Sequence, residues 1–563
     1  MGQGRARGRL RDRLRAERGR GALAPAAGPR GVPARAALAP RPVRAVRPRR
    51  RAAPPRRRAR RALAPAQRGA VRLAARAARR RALAPARAHG RARARGAARP
   101  TPRRRRRAAR AERPLRIVHA LHAFPPDSRA GSENYVEALA RAQLARHEVA
   151  VFHRVAHPER PEYAVEEAEH AGIPVVRINR TFRDLVSFRD TYRSDAVAAA
   201  FGAFLDRFAP DVVHFHHVTC LSTRCVHEAK KRGVGVVFTL HDFWLICPRG
   251  QRLRRDLSLC ERHDDRDCAR CMAHQLPVRG GHARVAELDA RAARMARWPL
   301  PRGLAQRLAR RPFGGEAAAL REIRDRTEEV REMCAQVDRF VSPSAFLRDR
   351  FVEWGLDAAR ITVADNGFVA PAAVAREPRG DDARLRVVYL GTWIPSKGVH
   401  VLLEAFRGVP GDRAVLDVHG YAAPFDGFPD YEGHLRRLAA GAPHVRLHGP
   451  YEPEDVPRIL ARADVLVVPS IWYENSPLTI HEAFLAAVPV VASNHGGMRE
   501  FVRHGVDGLT FRAGDPRALR AALERLIADR GLLAKLAASR ASVVEMGEHA
   551  RRLEGLYRGL ARA

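Results

Sequence analysis

Two glutamates and a lysine carry the densest chemistry in this chain of 563 residues. Glu474 and Glu482 flank the dipeptide Ser476-Pro477, with seven residues between the two carboxylates. Ser476 is a good N-cap and Pro477 a good first helical residue, so a helix is predicted to begin there and to carry Glu482 inward one to two turns later. The amides just past Pro477, on Leu478 and Thr479, have no intrahelical partner in such a helix and would face a phosphate. Lys397, in the loop Gly391-Thr392-Trp393-Ile394-Pro395-Ser396-Lys397-Gly398, adds a cation. A cationic, amide-lined pocket stabilises negative charge on a departing phosphate, while a nearby carboxylate supports positive charge on the group it leaves.

Strands must present these residues. The apolar run Val465 to Val468 ends at Pro469 and Ser470, as a buried parallel strand ends in a loop. Similar runs occur at Leu115 to Leu121, Glu148 to Phe152, Val212 to Phe215, Val234 to Leu240, Ile361 to Ala364, Leu385 to Leu390, Ala414 to His419 and His444 to Gly449, separated by helix-like segments. That alternation predicts α/β architecture with doubly wound sheets, and the length predicts more than one domain. The first domain is read as residues 114–370, a Pro- and Gly-rich linker as 371–383, and the second domain as 384–545. Strand carboxyl ends are where such sheets hold ligands. His241, in Thr239-Leu240-His241-Asp242, and Gly131, in the loop after the first strand, lie at such ends. His216, in the run His214 to His217, is a second candidate for the same cleft, and metal binding by this run is discounted for want of acidic neighbours.

Glu474 and Glu482, followed by AF-x-A-x-x-PVVAS and the pair Gly496-Gly497, and preceded in order by His241 and Lys397-Gly398, closely resemble the family 4 retaining glycosyltransferases of the two-domain GT-B fold. The resemblance runs over nearly all of residues 114–563. It departs from the family pattern at Ala130, where a glycine is usual, and at Thr392, where an arginine is usual. It implies two Rossmann-like domains facing across a cleft, with a last helix from about 546 to 563 crossing back onto the first. It further implies Lys397 and the amides near Leu478 on a donor diphosphate, Glu474 on donor sugar hydroxyls, Glu482 on the ribose, His241 near the transferred sugar, and Gly497 permitting close approach. The implied reaction moves a sugar, with retention of configuration, from a UDP- or GDP-sugar to a saccharide or lipid-linked acceptor in polysaccharide or glycoconjugate synthesis. No cofactor is required for it, since lysine and helix dipole take the place of a metal. A phosphorylase or sugar-phosphate synthase shares the fold and is the nearer rival; no dedicated phosphate site marks it in the sequence.

Directly after His241 come Cys247, Cys260, Cys268 and Cys271, inside an insert of about 245–335. A Cys-x-x-Cys pair with two further cysteines close by is a ligand set for a structural zinc, closed by four thiolates. Disulfides and unligated thiols are the competing readings. The insert continues into an Arg-rich stretch around Trp298, read as a solvated helical face, with peripheral contact at a membrane surface as the alternative.

The formal charge of +44 is unevenly placed. Residues 1–113 hold 39 arginines, no lysine and three acids, a formal +36, in low-complexity sequence that repeats RRALAPA. Such a segment lacks the apolar mass for a core and is expected to be disordered. It reads either as upstream sequence translated from an early start or as a basic arm; a targeting peptide fits less well, lacking an apolar h-region. Nucleic-acid binding would rest on this arm alone and is not expected of the body. A cytoplasmic enzyme, peripheral at the inner membrane face, is the location implied.

Overall fold

The computed structural model describes residues 113–261, 264–273, 315–370, 374–377 and 382–561, all within one compact unit. The Arg-rich extension and the Trp298 stretch lie outside these residues, and with them the expectations of a disordered arm and of a solvated helical face.

The first sheet contains β1 Arg116–Leu121, β2 Glu148–Val155, β3 Val165–His170, β4 Ile173–Asn179, β5 Val212–Phe215, β6 Gly235–Thr239, β7 Arg339–Ser342 and β8 Ile361–Val363. Their order is β3-β4-β2-β1-β5-β6-β7-β8, parallel throughout except for β3 against β4. The second sheet is parallel, with β9 Leu385–Leu390, β10 Ala414–His419, β11 Val445–Leu447, β12 Val465–Val468, β13 Val490–Ser493 and β14 Gly508–Phe511 in the order β11-β10-β9-β12-β13-β14. Helices cover both faces of each sheet, which is why β5, β6, β12 and β13 are buried along their whole length and read as apolar runs. β3 escapes a reading built on apolar runs. Its sequence VEEAEH alternates exposed and half-buried residues at a sheet edge, and it turns into β4 through Ala171 and Gly172, both at positive φ.

The strand order reverses between β1 and β5 in the first sheet and between β9 and β12 in the second, while the strands themselves stay parallel. Loops leaving the carboxyl ends of these strands border a crevice, the usual ligand position in doubly wound sheets. Gly131, His216, Lys397 and Glu474 follow these ends, and His241 follows the neighbouring β6. The last helix, Met546–Leu560, returns to the first sheet and buries Met546, Ala550, Leu553 and Tyr557 among Ile117, Val136, Val151, Val212 and Val237. Those four residues recur at helical spacing, so one stripe faces the core.

Candidate functional site

Lys397 ends a short 3₁₀ turn, and Gly398 follows at φ +71. A Cβ on Gly398 would lie 2.0 Å from the Pro469 carbonyl oxygen, so glycine alone lets this loop rest on the end of β12. The close approach sets Lys397 Nζ 2.7 Å from Glu474 Oε1. The same carboxylate oxygen accepts from Ser470 Oγ at 2.7 Å and Trp472 Nε1 at 2.8 Å. Three donors thus fix one oxygen of a nearly buried carboxylate, while Oε2 takes no hydrogen bond from the described residues and is not sealed from solvent.

The helix after Glu474 runs Leu478–Leu485 and its N-cap is Pro477, one residue later than the sequence indicates. Ser476 does not cap it. Its hydroxyl donates to Asp365 Oδ1 at 2.9 Å, and His481 Nε2 lies 2.8 Å from the other oxygen of Asp365. A carboxylate at the domain junction is a stronger acceptor for the hydroxyl than a helix amide is a donor to it. The amides of Leu478 and Thr479 therefore keep no acceptor among the described residues and form an anion-seeking terminus. Glu482 projects from the first turns of this helix, half-buried; burial pushes its carboxyl up to about 7, against a smaller opposing effect of His481.

Gly497 packs against the backbone of the Glu474 loop. A Cβ there would lie 1.8 Å from the Asn475 carbonyl oxygen and 3.0 Å from that of Glu474, and Gly497 N donates to the Glu474 carbonyl at 2.6 Å. The glycine pair buttresses the backbone that carries Glu474. Glu500, two residues past Met498, reaches the first domain, where its carboxylate accepts from the amides of Ala345 and Phe346 at the start of the helix Ala345–Trp354.

Across the crevice, Gly131 opens the helix Gly131–Leu144 and faces Leu478, whose Cδ1 would be 3.6 Å from a Cβ on the glycine. The helix terminus with the unpartnered amides therefore abuts the first-domain loop. Asn475 Nδ2 donates to the backbone oxygen of His241 at 2.8 Å and binds the two domains at the same place. His241 heads a buried chain: its Nε2 is 3.2 Å from His216 Nδ1, His216 Nε2 is 2.9 Å from His119 Nδ1, and His119 Nε2 is 2.8 Å from Gln143 Oε1. Gln143 Nε2 donates to the Tyr557 hydroxyl at 3.5 Å, which lies 2.6 Å from His214 Nδ1. Assigned from this network, the Gln143 oxygen takes a proton from His119 Nε2, so His216 and His241 each carry theirs on Nε2, leaving His241 Nδ1 as an acceptor. Burial keeps the rings neutral, lowering His119 to about 4 and His241 to about 3, with His217 adding to the depression of His241. Asn475, Gln143, Asp365 and Glu500 are the residues that sequence reading passes over. Their roles depend on partners 24 to 414 positions away, and of the histidine chain only His216 and His241 are marked in the sequence.

Among the described residues, the metal-ligating atoms that come within 4.8 Å of one another are those of His119, His214 and His216. Their ring nitrogens already have protein or imidazole partners, including Thr239 Oγ1 at 2.7 Å from His214 Nε2. The four cysteines after His241 line one cavity of about 20 Å³, and none of the seven cysteines forms a disulfide. Burial pushes the Cys268 thiol up to about 12, and the proximity of Cys247, Cys260 and Cys271 adds to the effect. A separate hollow of about 450 Å³ opens beside Tyr163, Arg180 and Arg193, but Asp184, Asp190 and Asp195 balance its arginines.

A family model described as Glycosyl transferases group 1 matches residues 384–529, and one described as Glycosyltransferase Family 4 matches residues 129–295. The D-inositol 3-phosphate glycosyltransferase of Salinispora arenicola is 32% identical over 227 residues, covering 37% of this chain and 50% of that protein. The glycogen synthase of Mycobacterium tuberculosis is 34% identical over 200 residues, covering 34% of this chain and 46% of that protein. The chain thus spans about half the length of these curated relatives. Among solved structures, Anabaena HepE in complex with UDP and glucose superposes with a TM-score of 0.51 at 16% identity, over 78% of this chain and 99% of that one. Sucrose-phosphate synthase from Thermosynechococcus elongatus gives 0.54 at 18% identity, over 80% and 99%. At these identities the superpositions establish the fold.

Proposed function

Because this chain belongs to the group 1, family 4 glycosyltransferases of the GT-B fold, we propose that it transfers a sugar from a nucleoside-diphosphate donor to a saccharide or lipid-linked acceptor with retention of configuration. One observation carries the reading most: the pair Lys397–Glu474, at 2.7 Å, stands in the crevice that also holds the unpartnered amides of Leu478 and Thr479. Charge explains the arrangement. Cleavage of a sugar–diphosphate bond builds negative charge on the leaving phosphate, which Lys397 and the two amides stabilise, and positive charge on the sugar carbon, which a fixed carboxylate tolerates.

Lys397 leaves Glu474 for the diphosphate when donor enters. Ser470 and Trp472 still hold Oε1 of Glu474, so Oε2 stays aimed at the sugar hydroxyls. Glu482 accepts from the ribose. His241 offers Nδ1 to a hydroxyl of the transferred sugar, while its Nε2 stays engaged with His216. The structural neighbour crystallised with UDP and glucose supports a uridine donor as the first to try. No helix of the described residues is long and apolar enough to cross a membrane.

The test is a screen of UDP-, GDP- and ADP-sugars for binding and for slow hydrolysis by the purified full chain. Selective binding of one base, weakened in Glu482→Ala, is the expected result. A folded protein that ignores every nucleotide sugar would move the assignment to a phosphorylase on the same fold.

A further inference from the structure

The cysteines after His241 come from three separate pieces of chain. Cys247 closes a turn in which its amide donates to Phe243 O at 2.7 Å and its carbonyl accepts from Gly250 N at 2.8 Å. Cys260 follows a small hairpin bridged at Leu253 and Leu259, its amide on Arg252 O at 2.8 Å. Cys268 and Cys271 lie one turn apart on the helix Asp265–Met272, whose N-cap Asp264 accepts from the amides of Arg266 and Asp267. All four surround the same cavity of about 20 Å³. That is room for one water-sized or ion-sized occupant.

We propose that Cys247, Cys260, Cys268 and Cys271 bind one structural zinc ion, which clamps the loop carrying His241 to the insert beside it. The donor set suits zinc: four soft thiolates with no carboxylate or open position needed. No three of the sulfurs lie within 4.8 Å of one another, whereas zinc with bonds near 2.3 Å holds sulfurs about 3.8 Å apart. The cavity is the slack that ligation would take up. Four thiolates around a divalent ion leave two negative charges; Arg249, also paired with Asp426, and Arg254, 4.0 Å from Asp267, stand on the cavity wall beside the Asp267 carboxylate. The helix is held on one face, where Cys268, Ala269 and Met272 pack against Phe188, Tyr192, Ala319 and Ile323, and ligation would hold its other end. An eight-residue helix of sequence DRDCARCM is too short to persist on propensity, and only Cys268, Ala269 and Met272 of it are buried.

The clamp also reaches the second domain. Arg249, two residues past Cys247, holds Asp426 Oδ2 at 2.6 Å. Loss of the ion therefore loosens both the His241 loop and one of the links between domains.

Metal content of the purified full chain tests the site. One zinc per chain is expected, kept through gel filtration and in Cys220→Ser, and lost in Cys268→Ser and Cys271→Ser. Cobalt exchange reads the wild-type protein directly, with the strong d–d and sulfur-to-cobalt charge-transfer bands of a tetrahedral four-thiolate site. A folded wild-type chain that holds no zinc and gives no such bands overturns the proposal, as does mass-spectrometric evidence that these four thiols are joined in disulfides. Neither readout uses sugar transfer, so failure of the metal site and failure of the transferase reading are separable.

Discussion

Lys397 Nζ and Glu474 Oε1 stand 2.7 Å apart, a contact that joins the loop after β9 to the loop after β12. Both groups are expected to face the donor, one toward phosphate and the other toward sugar, and before donor arrives each neutralises the other. The pair is thus a charged latch that substrate opens, and its two members should fail differently.

Lys397→Ala removes the cation opposite the diphosphate. Donor KM should rise and kcat should fall by about 10²–10³-fold, the order lost when one charge-stabilising donor is removed from a transition state. Glu474→Gln keeps an oxygen for Ser470 and Trp472 and leaves the diphosphate contacts untouched. It should bind nucleoside diphosphate as well as wild type while turnover collapses. Calorimetric titration of nucleoside diphosphate beside steady-state kinetics checks the split; near-wild-type turnover in both variants would remove this pair from the site.

Glu482 gives a pH dependence with a definite sign. Its carboxyl is raised from 4.5 to about 7 in the folded chain, so folding binds a proton between those values. Its contribution to stability is greatest below that window and is lost as pH rises through 7. Ribose recognition runs the other way, because the ionised carboxylate is the better acceptor. Nucleotide affinity should increase from about pH 6 to about pH 8, by at most about tenfold per unit below the pKa. Glu482→Gln should flatten both trends, gaining melting temperature relative to wild type at the alkaline end while binding nucleotide more weakly there.

The strands and the order of the site loops were legible in the sequence because buried parallel strands are apolar without interruption and end in turn residues. Val465–Val468 and Leu385–Leu390 were readable to the residue for that reason. What was not legible is pairing. Ser476 looks like a cap, and nothing local tells that Asp365, 111 positions earlier, takes its hydroxyl. Gly497 looks like a ligand-facing glycine until the Asn475 carbonyl is found against it. The role of Gln143 is invisible from its helix, whose pattern marks it only as an inward position.

That glutamine sets up a third test. Gln143→Leu deprives His119 Nε2 of its acceptor and frees the histidine chain to take either tautomer. We expect kcat to fall by up to about 100-fold, as for a small misplacement of a reacting group, with donor KM little changed. Gln143→Glu, an acceptor on both oxygens, should hold the Nε2 tautomer of His241 and recover much of the rate. ¹⁵N shifts of the His241 ring read the tautomer directly. A ring that stays protonated on Nε2 in Gln143→Leu would show that the chain does not control it.

Gly497→Ala separates two explanations of the glycine pair. At φ −63 the backbone of Gly497 suits any residue, so conformational strain is not at issue. The added methyl meets the Asn475 carbonyl oxygen at 1.8 Å, a backbone atom that cannot turn aside. Overpacking of this kind costs about 1–3 kcal/mol, and relief requires the 473–475 backbone to move, taking with it Glu474 and the Asn475 bond to His241. A buttress therefore predicts a lower melting temperature in the absence of ligand together with reduced kcat. A glycine kept only for the approach of a ligand predicts an unchanged melting temperature and a raised donor KM. Thermal unfolding of the ligand-free variant, measured beside its kinetics, decides between them, and unaltered stability would return Gly497 to the ligand-facing role.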